Sequence, residues 1–276
     1  MVPNPKNFCG GAYDNWLEVM LTDECHGRCA WCVERDGYRP GYHASVTEMT
    51  QAILAAAESH VIFLGGEPTL YPDLGPLIKA TRDEKQLYVT SNGERLTPEY
   101  VASTLDGIVG LNLSIHHHDL SRNKAITGID IDEETLEWSV IECRRRGIEV
   151  RLNCNIIAGE IDDRVALFAY VEWAQQRGIW SVRFGELRDS EEYVSLARLV
   201  GTDAATYGLT EEPFVGGCYH EVNMAGSKVA FRQVCGLQTR HRPMPKNPKS
   251  VHPKHVLYYD GKLYKGWQKE CDHEGD

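Results

Sequence analysis

Apolar residues recur along this chain in two alternating rhythms. Short runs at Trp16–Thr22, His60–Leu64, Gln86–Thr90, Ile108–His116, Ile148–Ile157 and Trp180–Leu187 have the length and composition of strands. Between them lie stretches with helical spacing: about Val46–Glu58, Asp73–Thr81, Pro98–Leu105, Glu133–Arg146, Asp162–Arg177 and Ser190–Val200. Ser45 and Glu48 form a capping-box pattern ahead of the first. Leu136, Val140 and Cys143 share one helical face, and Gly147 and Gly178 stand where helices stop. Strands alternating with helices predict an α/β fold with a parallel sheet. Six units predict a partial (β/α)6 TIM-like barrel over residues 1–200. A C-terminal extension follows over 201–276, with the Asp260-Gly261 turn of a small β-hairpin, and is expected to cover the active site.

Two strands refine this picture. Val150, Leu152, Cys154 and Ile156 alternate with Arg151, Asn153 and Asn155; Leu111, Leu113 and Ile115 alternate with Asn112, Ser114 and His116. A parallel strand covered on both faces is apolar throughout. One polar face predicts a lumen that holds a polar ligand; the competing arrangement is an antiparallel sheet with one face in water.

Composition narrows the class. The chain has 276 residues, 42% hydrophobic and 25% charged, which fits a folded globular protein. No run is long and apolar enough to span a membrane, and the first residues lack the basic-then-apolar order of a secretory signal, so a cytoplasmic location with no membrane partner is expected. The net charge of -11 argues against a protein coated in nucleic acid. Yet Val222–Tyr259 holds no Asp or Glu, while carrying Lys228, Arg232, Arg240, Arg242, Lys246, Lys249 and Lys254.

Nine cysteines in such a chain point to metal or redox chemistry rather than disulfides. Cys25, Cys29 and Cys32 stand at CxxxCxxC spacing directly after the first strand. Three thiolates can hold three irons of a [4Fe-4S] cluster and leave the fourth open to another ligand. A structural zinc site is the competing reading, but it usually takes four ligands in paired spacings, and no second pair is near. With Trp31 before the last cysteine, and Gly65-Gly66-Glu67-Pro68 ending the second strand, the sequence over roughly residues 16–190 resembles the radical S-adenosylmethionine (SAM) superfamily.

The resemblance implies an enzyme with a [4Fe-4S] cluster and SAM as cofactors. Cys25, Cys29 and Cys32 would be the metal ligands. Gly65, Gly66, Glu67 and Pro68 would meet the methionine amino group of SAM, the glycines by close backbone approach. Asn92 in the Thr90-Ser91-Asn92-Gly93 turn, Ser114, and Asn153 or Asn155 would be further cofactor contacts, and Trp31 would pack near the adenine or shield the cluster. Arg183-Phe184-Gly185-Glu186 resembles a stretch of molybdenum-cofactor biosynthesis protein A and its relatives. A flavodoxin or ferredoxin is implied as electron donor. The hairpin ending at Trp267 resembles one that ends in a ligand cysteine of an auxiliary cluster; Trp267 replaces that cysteine, and Cys218, Cys235 and Cys271 match no such pattern known to us.

The substrate is written more faintly. His116, in the run His116-His117-His118-Asp119, and Arg151 and Arg183 on polar strand faces are candidate substrate or catalytic groups. With the acid-free segment they suggest an anionic substrate: a small molecule, a nucleotide or a modified nucleic-acid base, as for an isomerase of phage thymidine hypermodification. The alternatives are radical modification of an amino acid or peptide, chemistry like that of 7-carboxy-7-deazaguanine synthase, and a non-enzymatic metal-binding module.

Overall fold

The computed structural model describes residues 15–32, 34–35, 37–188, 190–212, 218–234 and 255–267, with the backbone alone for Cys218. Cys9, Cys235, Cys271 and the basic residues between 240 and 254 lie outside the described residues. The chain divides into two compact units. One comprises residues 13–113, 124–150 and 253–276; the other comprises 114–123, 151–252 and the first twelve residues.

The first unit is built on strands β1 (Trp16–Met20), β2 (His60–Leu64), β3 (Gln86–Ser91) and β4 (Gly110–Ser114), paired in that order and parallel. Leu17, Val19, Val61, Phe63, Leu87, Val89, Leu111 and Leu113 are buried. They need a cover, and helices α1 (Val46–Ala55), α2 (Leu74–Thr81), α3 (Pro98–Ser103) and α5 (Glu133–Arg145) supply Met49, Ile53, Leu77, Ile78, Val101, Leu136 and Val140, all buried too. Helix α1 packs against α2, and α3 against α5. The Ser45–Glu48 capping box forms as expected. The C-terminal hairpin adds β9 (His255–Leu257), parallel beside β1, and β10 (Leu263–Lys265), antiparallel to β9.

The second unit carries most of β5 (Glu149–Asn155), followed by β6 (Ser181–Gly185), β7 (Cys218–Met224) and β8 (Ser227–Gln233). Strand β8 pairs parallel with β6 and antiparallel with β7, giving the order β5-β6-β8-β7. Leu152, Cys154, Val182, Phe184, Val229 and Phe231 are buried, as are Leu167, Tyr170, Val171 and Ala174 of helix α6 (Arg164–Gln176). Phe184 meets the rings of both Tyr170 and Phe231.

The fold is therefore mixed α/β with parallel strands joined by helices, the succession of an unclosed partial barrel. Three details differ from expectation. Helix α4 (Leu120–Thr127) was not expected, because its sequence is largely polar and lacks an apolar period; Asp119 starts it by accepting from the Ser121 and Arg122 amides. The helix expected over Ser190–Val200 is α7 (Leu196–Val200), because Ser195 caps it and Glu186 accepts from the Leu196 amide. The hairpin β7–β8 forms within the extension at residues for which no strand was expected.

Candidate functional site

The cysteine loop and the Gly-Gly-Glu-Pro turn are built as one object. The loop leaves β1 at Met20, and the turn leaves the neighbouring strand β2 at Leu64. The Leu21 amide donates to the Leu64 carbonyl at 3.0 Å, Gly66 to Thr22 at 2.6 Å, and Glu67 to Glu24 at 2.7 Å. This lacing requires glycine. A Cβ on Gly66 would stand 2.1 Å from the Glu24 carbonyl oxygen, and one on Gly65, whose φ is +143°, 2.5 Å from that of Thr22. The glycines thus let β2's turn lie against the backbone that leads into Cys25, a use distinct from the ligand approach expected of them.

Cys25 and Cys32 are exposed and Cys29 is half-buried. The Gly27 amide donates to Cys25 Sγ at 3.2 Å, the Arg28 amide to the Thr127 carbonyl at 2.6 Å, and the Arg35 guanidinium to the Cys29 carbonyl at 3.1 Å. Burial pushes the Cys29 thiol up to about 11, with the charges of Cys32 and Cys25 adding to it. Burial also raises Cys25, opposed by the Gly27 amide, with the Glu67 and Cys32 charges pushing further up and the Asn92 amide pulling down. Thiols this close repel one another as thiolates, and bound iron would relieve that repulsion while releasing their protons.

Among the described residues, no three His, Cys, Asp or Glu side chains converge as they would around a single ion. A cubane cluster asks for something else: each thiolate holds a different iron, so the sulfurs spread around it. Three neighbouring thiols on one loop, with half-exposed flanks, fit that group.

Glu67 is the unusual residue here. It is 1% exposed, and its carboxylate is held by neutral donors: Oε1 accepts from the Thr69 amide (3.1 Å), the Thr69 hydroxyl (2.7 Å) and the Ser91 hydroxyl (2.8 Å), while Oε2 accepts from the Asn92 amide (2.7 Å). No cationic side chain among the described residues pairs with it. A buried carboxylate so fixed is a preformed partner for an ammonium, with Oε2 the less occupied oxygen. Pro68 begins the short 3₁₀ turn that brings Thr69 back to Glu67. Asn92 is fixed through Oδ1, which accepts from the Glu94 amide at 2.9 Å, while its buried Nδ2 is left to the Cys25 sulfur, whose thiolate it favours. Trp31 is half-exposed in the same loop. Thr69 and Ser91 were not singled out in the sequence; their signal is their placement beside Glu67 and Asn92 at strand ends, where polar residues read equally well as turn formers.

In the other unit the sheet register builds a polar face. Arg151, Ser181 and Lys228 stand side by side; so do Asn153, Arg183 and Ala230; so do Asn155, Gly185 and Arg232. Partners in register point the same way, so Arg151, Arg183, Lys228 and Arg232 share one face with both asparagines. Arg151 donates to Ser181 Oγ at 3.2 Å, and Lys228 lies 3.4 Å from Glu221. Asn153 is buried with Oδ1 unpartnered, and Ser114 is half-buried. His116 is buried; Nδ1 accepts from the Asn155 amide at 3.0 Å, and its own amide donates to Asn123 Oδ1 at 2.8 Å. Burial, helped by the Arg183 charge, lowers its pKa to about 4, so it stands neutral with the proton on Nε2. His117 is buried as well, and its ring stacks on that of His118.

The comparisons with known proteins agree with this chemistry. A family model described as the Radical SAM superfamily matches residues 19–170. The GTP 3',8-cyclase of Klebsiella pneumoniae (strain 342) is 30% identical over 194 residues, which cover 66% of this chain and 58% of that protein. The chain thus spans less than two thirds of the length of this curated relative. Among solved structures, Streptococcus suis SuiB bound to S-adenosylmethionine superposes with a TM-score of 0.61 at 16% identity, covering 95% of this chain and 64% of that one. anSMEcpe with bound AdoMet gives 0.58 at 13% identity, covering 91% and 73%. At such identities the structural likeness is one of fold. The family match takes in the cysteine loop, the Gly-Gly-Glu-Pro turn and strands β2 to β5, and the chain belongs to the radical SAM superfamily, enzymes whose cofactors are a [4Fe-4S] cluster and S-adenosylmethionine.

Proposed function

We propose that this chain abstracts hydrogen from an anionic substrate of the nucleotide type, with Cys25, Cys29 and Cys32 holding the cluster and Glu67 receiving the amino group of SAM. When bound, the cluster and SAM together supply a 5′-deoxyadenosyl radical. The protein's part is to hold, orient and exclude. Gly65, Gly66 and Pro68 fix the Glu67 carboxylate. Asn92, Ser114, Asn153 and Asn155 offer amide and hydroxyl contacts to the carboxylate and ribose of SAM, and Trp31 shields the loop.

The observation that carries the substrate reading is the register that sets Arg151, Arg183, Lys228 and Arg232 on one sheet face, where Lys228 lies 3.4 Å from Glu221. Guanidinium groups on adjacent strands suit a phosphate or carboxylate. The sequence relative that acts on GTP supports the same substrate class. His116 is neutral and held through Nδ1, with its proton on Nε2.

The test is anaerobic reconstitution with dithionite and SAM, followed by assay of 5′-deoxyadenosine across nucleoside triphosphates, oligonucleotides and peptides. Stimulation by a nucleotide or oligonucleotide supports the reading. Stimulation by peptides alone replaces it with peptide modification.

A further inference from the structure

The cysteine loop has a second anchor at the far end of the chain. Arg39, seven residues beyond Cys32, reaches back to Asp23 at 2.8 Å and to the Glu34 carbonyl at 3.1 Å, tying the two flanks of the loop together. Tyr38 beside it enters the hairpin. Its ring meets those of Tyr258 and Tyr264, with centroids 5.4 and 5.6 Å away, and those two meet each other at 5.4 Å. The Tyr264 hydroxyl lies 3.3 Å from that of Tyr38 and 3.0 Å from the Asp260 carboxylate. Six residues further on, the Ala44 amide donates to the Tyr259 carbonyl at 2.7 Å, and His43 stacks on the Tyr259 ring. The hairpin is itself fixed to the barrel strand that launches the loop, since β9 pairs with β1 and Trp267 donates through Nε1 to Glu18 of β1; His255 Nδ1 lies 2.5 Å from Glu58, between α1 and β2.

We propose that this hairpin is the positioning device of the cluster loop, with Tyr264 as its central positioning residue. The inference rests on the reading of Cys25, Cys29 and Cys32 as cluster ligands. The Gly-Gly-Glu-Pro turn holds the loop on its N-terminal side, before Cys25. Among the described residues, the side after Cys32 is restrained locally by Arg35, on the Cys29 carbonyl, and by Arg39; the hairpin adds the anchor from outside the loop. Trp267, at the position where the hairpin it resembles ends in a ligand cysteine, donates an indole hydrogen bond to Glu18 and packs against the cluster of Met20, Val256 and Tyr258. The hairpin thus restrains the loop by aromatic packing and hydrogen bonds.

The experiment compares reconstituted wild type, Tyr264→Ala, Tyr264→Phe, Cys29→Ala and Val101→Ala. Val101 is a fully buried residue of helix α3, which packs against α5, so its truncation lowers stability without touching the hairpin. Iron and sulfide content, the rate of iron loss to a chelator, and the electron paramagnetic resonance of the reduced cluster with and without SAM are read for each. Tyr264→Ala is expected to lose iron about tenfold faster, as outer partners of metal ligands typically cost when removed. Its reduced spectrum is expected to broaden, and Tyr264→Phe, which keeps the ring, to recover most of the difference. Iron loss at the wild-type rate from Tyr264→Ala, or equally fast loss from Val101→Ala, would overturn the proposal. If the wild type itself takes up no iron and sulfide, or Cys29→Ala holds them as well as wild type, the reading of the cysteines falls first and the hairpin proposal falls with it.

Discussion

The Asn155 amide donates to Nδ1 of His116 at 3.0 Å, and this bond commits a buried histidine to its neutral form. Its pKa in the folded protein, about 4, lies below the ordinary 6.5 of an unfolded chain. The unfolded state therefore binds the extra proton first. The histidine's contribution is fully present above pH 6.5 and is lost as the pH falls toward 4, reaching about 3 kcal/mol there. Urea denaturation at pH 7.5, 5.5 and 4.5 is expected to show this loss in wild type and a flatter profile in His116→Gln. Burial outweighs Arg183 as the cause, so Arg183→Met should recover only a minor part. A wild-type profile no steeper than that of His116→Gln would refute the assignment.

Glu67 offers a second test. In Glu67→Gln, one carboxylate oxygen becomes an amide that faces the N–H or O–H donors now pointing at it. Stability should fall by about 1–3 kcal/mol, the cost of mismatched buried hydrogen bonds. SAM affinity of the reconstituted protein, measured by calorimetric titration, should fall by more than about tenfold, the cost of removing the buried anion proposed to receive the ammonium. Unchanged affinity would remove Glu67 from the SAM site.

Two glycines should respond very differently to alanine. Gly147 has φ +73° and open space around its missing Cβ, so Gly147→Ala should cost about 1 kcal/mol for the left-handed backbone alone. Gly66→Ala drives a methyl to 2.1 Å from the Glu24 carbonyl. It should cost about 3 kcal/mol or more and reduce iron uptake, since the displaced backbone leads into Cys25. Thermal unfolding and iron content of both variants check this; equal effects would contradict the close-packing account.

The basic sheet face predicts a charge-dependent substrate step. Arg183→Ala and Arg232→Ala should each weaken binding of the stimulating nucleotide by roughly ten- to a hundredfold, the worth of a charged hydrogen bond. Affinity should also decline with added salt in wild type, and less steeply in either variant. Isothermal titration at two salt concentrations separates this from a purely structural effect, which would not change the salt slope.

Much of this was legible because burial imposes a period. Leu152 and Cys154 alternate with Arg151 and Asn153 in the sequence as they do in the sheet, and Leu136, Val140 and Cys143 mark the buried side of α5. The cysteine spacing and Gly-Gly-Glu-Pro were readable because each chemistry demands its residues close together in sequence. What escaped was long-range. Nothing local says that His255–Leu257 pairs with Leu17–Val19, or that Tyr38 meets Tyr264. Helix α4 escaped because a polar helix that starts at an aspartate cap has no apolar stripe to announce it. The alternation in Lys228-Val229-Ala230-Phe231-Arg232 is that of a strand, but it is short and set among glycines and basic residues, which weakens the signal.

The pairing of position 17 with position 255 has a consequence for how the molecule comes into being. A ribosome delivers β1 and the cysteine loop first, and the strand that covers the outer edge of β1 emerges more than two hundred residues later. Until then β1 presents unpaired backbone to the cell, an invitation to misplaced strands. Closing so long a loop is also slow relative to local contacts. Maturation therefore has an order: the iron-binding loop is made first and secured only once residues 255–267 have followed it, and insertion of a stable cluster belongs after that pairing.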